Sequence, residues 1–512
     1  MEGGKGKIVT IEGQSRFERG RATVGLFLGP AAGIALYLAP MPGLNPPAHF
    51  LAAVLAWVVV WWVTEPVPLP VTALSGAVLC IVGRVAPAKD IFAPFADPVI
   101  FLFVGSFLIA EAMTVHGLER RFAFGILSVR WIADRTSRIL WAYGLICVGI
   151  SMWISNTATT AMMFPIGLGI IRCLADLSAR QTGKPVDMTK FRFATGMMLM
   201  AAYASSTGGI GTPVGTPPNL IGLAMIEKFA GIHIPFFKWL LFCLPILAVM
   251  YVVLFHLLYR LHKPELVRIE GCREHIRDER MRLGPWTRGQ KNALAAFLTA
   301  VVLWITPGFL TIIFGTEGRW TKVYGARMPE AAAALVAGIL LFALPVDWKK
   351  REFTLSWRQA VKIDWGTLLL FGGGLSLGQM MFKTGLAETL GKGIVHTLGA
   401  TSVWGLTLVA IFIGILVSEA TSNTASASMV VPVVISISLA SGISPLPPAI
   451  GATLGASWGF MLPISTPPNA IVYGSGMVPI TKMIRAGAIF DVLGGFVLWA
   501  GLRLLLPLVG LA

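Results

Sequence analysis

Two copies of the triplet Ser-Asn-Thr, at Ser155-Asn156-Thr157 and Ser422-Asn423-Thr424, lie inside apolar stretches of the chain. Each has a serine four residues upstream, Ser151 or Ser418, and a proline eight residues after its threonine. Hydroxyls and the amide NH₂ donate to anions, whereas hydroxyl and carbonyl oxygens bind hard cations. Capping of a following helix explains one polar residue per triplet, but not the repeated set. The triplets are therefore candidate ligands for an anion, a cation or both.

A second repeated motif follows each triplet, as "GTPPN" at 215–219 and "STPPN" at 465–469. Each Pro-Pro pair removes two backbone donors and breaks an α-helix. We expect unwound loops at 208–217 and 461–467. A single motif of this kind would more often be a proline kink packed against neighbouring helices. Two matched copies, each paired with a triplet, favour binding loops.

Neither the triplets nor the two proline motifs contain Lys or Arg. An anion bound there would lack a fixed positive partner, although the positive end of a helix that starts at each triplet would favour it. Co-bound cations would supply the missing charge, so we expect cation coupling. Two carboxylates in apolar stretches, Glu111 and Glu419, are functional candidates. Because Glu419 has no counterpart beside the first triplet, hydrogen bonding and direct coupling are equally open for it.

The composition places these motifs in an all-α polytopic membrane protein. Of the 512 residues, 55% are hydrophobic and 13% are charged, and the mean hydropathy is +0.75. A soluble protein of this length would have about a quarter of its residues charged. The net charge of +16 comes from short basic loops, which mark the cytoplasmic face rather than a nucleic-acid site. No nucleophile–base pair or metal cluster suggests an enzyme.

The apolar segments predict about eleven transmembrane helices. Two further stretches, 139–173 and 403–440, contain the triplets and are interpreted as re-entrant hairpins, since each arm has only about 16 residues whereas a full span needs about 20. Basic loops flank the first hairpin and nearly neutral loops flank the second, so the two open from opposite sides. The predicted spans are 23–40, 48–64, 70–83, 97–115, 194–227, 236–260, 291–307, 329–346, 364–382, 447–476 and 486–508.

An internal repeat relates the two halves of the chain. A shift of 267 residues superimposes Asp97 on Asp364 and the first triplet on the second, and a shift of 250 relates the proline motifs, so the second half lacks 17 residues (267 − 250) after its hairpin. Inverted repeats with discontinuous helices are typical of transporters. The predicted organisation is a cytoplasmic tail at 1–22, scaffold helices at 23–96, inverted repeat 1 at 97–235 with broken helix 194–227, scaffold helices with a cytoplasmic loop (262–290) at 236–363, inverted repeat 2 at 364–485 with broken helix 447–476, and a C-terminal helix at 486–512.

The segments "SNTATTAMM", "GTPVGTPPNLI", "TSNTASASMVVPVV", "FMLPISTPPNAIVYGSG" and "WWVTEPVPLPVTAL" resemble the divalent anion:sodium symporters, a family of di- and tricarboxylate transporters. The resemblance covers nearly the whole chain. It implies a homodimer in which each protomer has a scaffold domain and a transport domain with two opposed hairpins. It also implies an elevator-type transporter, in which sodium binds first, the dianion then bridges the two tips, and the transport domain slides across the scaffold.

The resemblance also implies roles for individual residues. Ser155, Asn156, Thr157, Ser422, Asn423 and Thr424 would contact the substrate carboxylates, one triplet at each end, and Thr216, Pro217, Thr466 and Pro467 would line the same pocket. One sodium site would use Ser151, Ser155, Asn156 and the Gly215 carbonyl. The other would use Ser418, Thr421 or its neighbours, Asn423 and the Ser465 carbonyl. No other cofactor is implied.

A C4 dicarboxylate of the succinate, malate or fumarate type fits two equivalent tips best. A sodium-independent dicarboxylate exchanger and a sulfate or citrate transporter share the fold and remain alternatives. A proton antiporter would need paired carboxylates at the tips, which have none. The uncleaved basic N-terminus favours a bacterial inner membrane, with the N-terminus in the cytoplasm.

Overall fold

The structure is a computed structural model that describes residues 16–133, 135–182, 187–188, 190–266, 272–398 and 402–511. The first half begins with helices that precede the first triplet. They are α1 (Arg16–Leu38), α2 (Pro46–Thr64), α3 (Leu69–Val82), α4 (Ala88–Phe92), a 3-10 turn (Ala93–Ala96), α5 (Pro98–His116), α6 (Leu118–Leu127) and α7 (Arg130–Ala133).

Helices that carry the first pair of motifs come next. They are α8 (Thr136–Ser151), α9 (Asn156–Thr182), α10 (Arg192–Gly209), α11 (Pro217–Met225), a π-helical turn (Ile226–Ala230) and α12 (Phe236–Leu261). The connecting region contains α13 (Cys272–Arg282), α14 (Arg288–Phe314), α15 (Arg319–Arg327), α16 (Glu330–Ala343), the antiparallel strands β1 (Pro345–Asp347) and β2 (Glu352–Phe353), and α17 (Trp357–Ala360).

The second half repeats this order with α18 (Trp365–Thr384), α19 (Leu386–Leu398), α20 (Val403–Ala420), α21 (Asn423–Ala440), α22 (Leu446–Ala456), α23 (Pro467–Tyr473) and α24 (Ile480–Leu508). Equivalent helices of the two repeats also have equivalent N-caps. The Asp97 carboxylate caps α5 by accepting a hydrogen bond from the Val99 N–H, and its counterpart Asp364 caps α18 by accepting one from the Thr367 N–H. The two-repeat helical fold predicted from the sequence is confirmed.

The first long helix of each repeat packs against a helix of the predicted scaffold that precedes the other repeat in the chain. Helix α5 of the first repeat packs against α16, and α18 of the second repeat packs against α3. Both contacts depend on a glycine that allows close approach, because a Cβ on Gly105 would lie 2.4 Å from the Ala334 backbone and one on Gly373 would lie 2.5 Å from the Ala73 Cβ. The tightest core surrounds the broken helices, where every residue of α22 is buried, as is every residue of α10 from Phe193 onward.

Within the described residues, nine helices are long and apolar enough to cross a membrane, or up to ten if the bent pair α15 and α16 forms one span. The eleven predicted spans leave out the hairpin arms, three of which are among the nine. They include both broken helices as well as α3 and α18, which are not among the nine, and the span 329–346, which belongs to the bent pair. The hairpin arms are longer than the expected 16 residues in three of four cases, with 16 in α8, 27 in α9, and 18 each in α20 and α21. Helix α9 is longest because it continues into the basic segment after the hairpin.

Candidate functional site

The two triplets form the tips of the two hairpins and have matching hydrogen bonds. In the first tip, the Ser151 hydroxyl donates to Oδ1 of Asn156 at 2.7 Å, and Oγ of Ser155 accepts from the Ala158 N–H at 3.2 Å. In the second tip, the Ser418 hydroxyl donates to Oδ1 of Asn423 at 2.8 Å. Ser422 likewise caps α21 by accepting from the Ala425 N–H at 3.2 Å.

Helix capping therefore accounts for the serine of each triplet. It does not account for Asn156 or Asn423, whose amides are oriented by serines one turn upstream, in the preceding arm of each hairpin. The threonines that complete the triplets, Thr157 and Thr424, are exposed and half-buried respectively. Each tip thus presents amide and hydroxyl groups that are held in place by local hydrogen bonds.

Both helices break beside the proline motifs, as predicted, but the second break is longer than the expected 461–467 and begins four residues earlier. Helix α10 ends at Gly209 and α11 starts at Pro217, while α22 ends at Ala456 and α23 starts at Pro467. Each break is closed by the asparagine of its TPPN motif. Asn219 donates to the carbonyls of Gly209 and Thr212 at 2.9 and 2.8 Å. Asn469 donates to the carbonyls ten and seven residues before it, at 3.3 and 3.0 Å.

Each tip is packed directly against its break loop. The Thr212 hydroxyl donates to the Met152 carbonyl at the first tip. A Cβ on Gly209 would lie 2.5 Å from Oδ1 of Asn156, so only glycine permits this approach. At the second tip, the single Ser418 hydroxyl proton is shared between Oδ1 of Asn423 and the Ala456 carbonyl, which lies 2.9 Å from the hydroxyl oxygen. A Cβ on Gly459 would lie 3.0 Å from that hydroxyl oxygen.

A cavity of about 700 Å³ lies between the two tips. All ten predicted substrate-binding residues line it, together with Gly215 and Ser465 of the predicted sodium sites. Three other predicted sodium ligands, Ser151, Ser418 and Thr421, are buried behind the cavity wall rather than on it. The fold therefore places residues that are as far apart in the chain as Ser155 and Pro467 around the same cavity. The ten residues are Ser155, Asn156, Thr157, Thr216, Pro217, Ser422, Asn423, Thr424, Thr466 and Pro467.

The electrostatics of this cavity come mainly from helix ends. Helices α9, α11 and α21 begin at Asn156, Pro217 and Asn423, all of which line the cavity, so their positive N-terminal ends point toward it. Among the lining residues, only Glu111, Lys362 and Asp364 have charged side chains, and they belong to α5 and to the start of α18 rather than to the tips.

Glu419, for which the sequence left hydrogen bonding and direct coupling open, makes several hydrogen bonds in the structure. Its carboxylate accepts from the Met461 and Leu462 N–H groups at 2.7 and 3.2 Å and from the Ser465 hydroxyl. It therefore connects the second hairpin to the second break loop. The first loop has no carboxylate at the matching place, because Met152 contributes only its backbone carbonyl.

Sequence reasoning missed two features of the site. The first is the pair of amides of Asn219 and Asn469, which the motif indicates only as the last residue of a helix-breaking sequence. The second is Asp491 of α24, whose carboxylate is 3% exposed, faces Glu419 and has oxygens with no well-formed hydrogen bond among the described residues. A carboxylate within the apolar segment 486–508 is the signal that could have identified Asp491.

Two opposed hairpins and two broken helices around one polar cavity define this protein as a membrane transporter built from inverted repeats. The protein family described as "Sodium:sulfate symporter transmembrane region" matches residues 21–508 of this chain. The chain therefore belongs to this family of divalent anion:sodium symporters, as the motifs predicted.

Characterised relatives cover most of the chain. A sodium-dependent dicarboxylate transporter of Staphylococcus saprophyticus is 34% identical over 467 residues, which is 91% of this chain and 87% of the relative. The transporter of the same name from Staphylococcus aureus strain USA300 is 31% identical over 489 residues, with 95% and 91% of the two chains covered.

Two solved structures share the fold at low sequence identity. The YdaH transporter of Alcanivorax borkumensis has a TM-score of 0.53 and 15% identity, over 96% of this chain and 97% of that one. The Neisseria gonorrhoeae MtrF protein has a TM-score of 0.54 and 12% identity, over 92% and 96% of the two chains. These likenesses concern the fold alone.

Proposed function

We propose that this protein is a secondary active transporter that couples the movement of a C4 dicarboxylate, of the succinate, malate or fumarate type, to sodium. The observation that carries the proposal is the pair of matched tips, with Ser151–Asn156 and Ser418–Asn423 hydrogen bonds of 2.7 and 2.8 Å, facing one cavity. The names of the staphylococcal relatives support both the substrate class and the coupling ion.

The substrate would lie between the tips with one carboxylate at each. Ser155, Asn156 and Thr157 would bind one end, and Ser422, Asn423 and Thr424 the other. Thr216, Pro217, Thr466 and Pro467 would form the walls between them. Hydroxyl and amide donors aided by helix N-termini suit carboxylates, which are acceptors only when ionised.

Sodium would bind beside each tip, where oxygen atoms are the available ligands. The first set is Ser151, Ser155, Asn156 and the Gly215 carbonyl, and the second is Ser418, Thr421, Asn423 and the Ser465 carbonyl. The Ser151–Asn156 and Ser418–Asn423 contacts place two oxygens of each set next to one another. Sodium bound there would fix the tip against its break loop and supply positive charge for the dianion.

An elevator cycle would follow from this arrangement. The hairpins and broken helices would slide as one unit against flanking helices such as α5 and α18, which pack on α16 and α3. The residues that line the cavity include Leu69, Thr114 and Lys362, which lie in or at the ends of segments predicted to face the cytoplasm. The conformation described here would then be the inward-open one. A homodimer in a bacterial plasma membrane, with a cytoplasmic N-terminus, completes the proposal.

Uptake of labelled succinate by purified protein in liposomes tests the coupling. One arm uses empty vesicles with an inward sodium gradient, and the other uses succinate-loaded vesicles without sodium. We expect uptake in the first arm only. Uptake in the second arm alone would identify an exchanger and overturn the sodium sites but not the tip assignments. Absence of succinate uptake in both arms, with citrate or sulfate accumulated instead, would overturn the substrate assignment.

A further inference from the structure

A second cavity, of about 460 Å³, lies away from the transport site. It is a groove between α6 and the segment that joins α13 to α14, and we call it the α6 groove. Helix α6 follows α5 at the end predicted to face the cytoplasm. The groove is lined by Arg121, Phe122, Gly125, Ile126, Arg280, Leu283, Gly284, Pro285 and Trp286.

Two guanidinium groups line the α6 groove and have no carboxylate partner in the part of the chain that the structure describes. Arg121 donates to the carbonyls of Leu283, Gly284 and Pro285 at 2.8 to 3.0 Å, and its guanidinium carbon lies 5.1 Å from the Trp286 ring centroid. Arg280 donates to the Ser128 hydroxyl at 2.9 Å. Neither arginine belongs to an ion pair among the described residues, whereas the neighbouring Arg282 is paired with Glu279 at 2.6 Å. The groove therefore has uncompensated positive charge.

Apolar side chains surround this charge on the outside of the protein. Ile126, Met281 and Trp286 are 43%, 59% and 40% exposed, and the nearby Trp131 is 61% exposed with the Arg138 guanidinium 4.5 Å from its ring. Exposed tryptophans next to arginines are typical of the level at which lipid headgroups meet acyl chains. A water-filled surface site for a small soluble anion would not need an apolar rim.

The matching helix of the second repeat differs over its described residues. Helix α19 occupies the same place in the repeat as α6, on the face predicted to be external. Its basic neighbours are neutralised, because Lys383 pairs with Asp90 at 2.5 Å and Lys392 with Glu388 at 2.6 Å. The positive groove is thus specific to one end of the molecule and is not a product of the repeat itself.

We propose that the α6 groove binds the phosphate of an anionic phospholipid, with the acyl chains along Ile126 and Trp286. Guanidinium groups bind phosphate oxygens through paired hydrogen bonds. Arg280 would make these bonds, because its one hydrogen bond to a described residue is to Ser128. Arg121, whose terminal N–H groups already donate to three carbonyls, would contribute mainly its charge. Anionic headgroups are attracted to basic clusters at the cytoplasmic surface. This site is separate from the transport cavity and does not depend on which dianion the protein carries.

The test measures binding of short-chain phosphatidylglycerol to the full-length protein in neutral detergent, by thermal shift and by native mass spectrometry. Arg280→Gln removes one guanidinium, and we expect at least about a tenfold weaker affinity, or about 1.4 kcal/mol. Gly125→Leu narrows the groove and keeps both arginines, and the first atom it adds is accommodated, because a Cβ at Gly125 has no atom within 4 Å. We expect it to weaken binding as well. Arg319→Gln, on α15 and far from the groove, is the matched control and should bind like the wild type.

Phosphatidylcholine and glycerol phosphate complete the experiment. Phosphatidylcholine should bind at least tenfold more weakly, because it has no net negative charge, and glycerol phosphate should not compete at equal concentration. Unchanged affinity in both groove variants would overturn the proposal. Equal binding of glycerol phosphate and phosphatidylglycerol would assign the groove to a soluble phosphate instead. Lipid binding and sodium-driven uptake are separate measurements, so each can contradict its own proposal without affecting the other.

Discussion

Asn156 and Asn423 hold equivalent positions in the two repeats, and each accepts a hydrogen bond from a serine in the preceding arm of its hairpin. In the proposed site, each amide also reaches the bound ions. Loss of the amide would remove ligand contacts at either tip. At the first tip it would also leave the Ser151 hydroxyl without its acceptor, whereas Ser418 would keep the Ala456 carbonyl. Hydrogen bonds to charged groups contribute about 1.5–3 kcal/mol each.

We therefore expect Asn156→Ala and Asn423→Ala each to lower sodium-driven succinate uptake at least tenfold, or about 1.4 kcal/mol. Assembly of the protein, followed by size-exclusion chromatography, should be unchanged. Asn292→Ala is the matched control, because the Asn292 amide bonds to Pro345 and Thr354, none of which line the cavity. Wild-type uptake by both tip variants would refute the assignment of the triplets.

Glu419 supports a second residue-scale prediction. Glutamine keeps one carbonyl oxygen but puts an NH₂ group where the carboxylate now accepts a backbone N–H or the Ser465 hydroxyl. The second break loop, which includes the proposed sodium ligand Ser465, would be less well held. We expect Glu419→Gln to raise the sodium concentration for half-maximal uptake several-fold, in line with the 1–3 kcal/mol cost of an unsatisfied buried group.

The measurement is uptake against sodium concentration at saturating succinate. Glu388→Gln serves as the control, because Glu388 is 67% exposed and bonds only to Lys392 in the described structure. If Glu419→Gln had the sodium dependence of the wild type, Glu419 would have no part in positioning the second sodium site.

At the scale of elements, the contact between α5 and α16 depends on Gly105. A methyl group there would lie 2.4 Å from the backbone of Ala334, which is fully buried. Overpacking of this kind usually costs about 1–3 kcal/mol. We expect Gly105→Ala to lower the melting temperature in detergent, whereas Gly125→Ala, whose Cβ meets open space, should leave it unchanged or slightly higher. Equal melting temperatures would show that α5 and α16 can separate without cost.

Local sequence signals predicted several of these elements. The Pro-Pro pairs indicated both helix breaks, and the serines and asparagines indicated both tips, because these effects act within a few residues of the chain. The contacts of Glu419 with Met461 and Leu462 span more than 40 positions, and the Tyr203 hydroxyl donates to the Phe460 carbonyl 257 residues away. Such contacts follow from how the repeats pack. The extent of α9 was missed because its C-terminal turns are basic and resemble a loop.

At the scale of the whole molecule, the proposed elevator requires α21 to move past α18. A Cβ at Gly378 of α18 would lie 3.6 Å from the Cβ of Pro432 in α21, within the range of about 3.5–4.5 Å that a disulfide spans. We expect oxidation of the Gly378→Cys, Pro432→Cys double variant to stop uptake and reduction to restore it. Each single variant and the oxidised wild type are the controls. Full uptake by protein shown to be cross-linked would exclude relative motion of these two helices.

The near identity of the two tips affects the entropy of binding. The serine–asparagine hydrogen bonds of the two tips differ by only 0.1 Å, so a ligand with two unlike ends can bind in either of two orientations. If the two ends of the site were equivalent, both orientations would have the same free energy, and the second would add RT ln 2, or about 0.4 kcal/mol, to the affinity of a single pose. Differences between the tips, such as the contacts of Glu419 behind the second one, make the two orientations unequal. The populations of the two orientations of bound malate would therefore measure how alike the two halves of the site are.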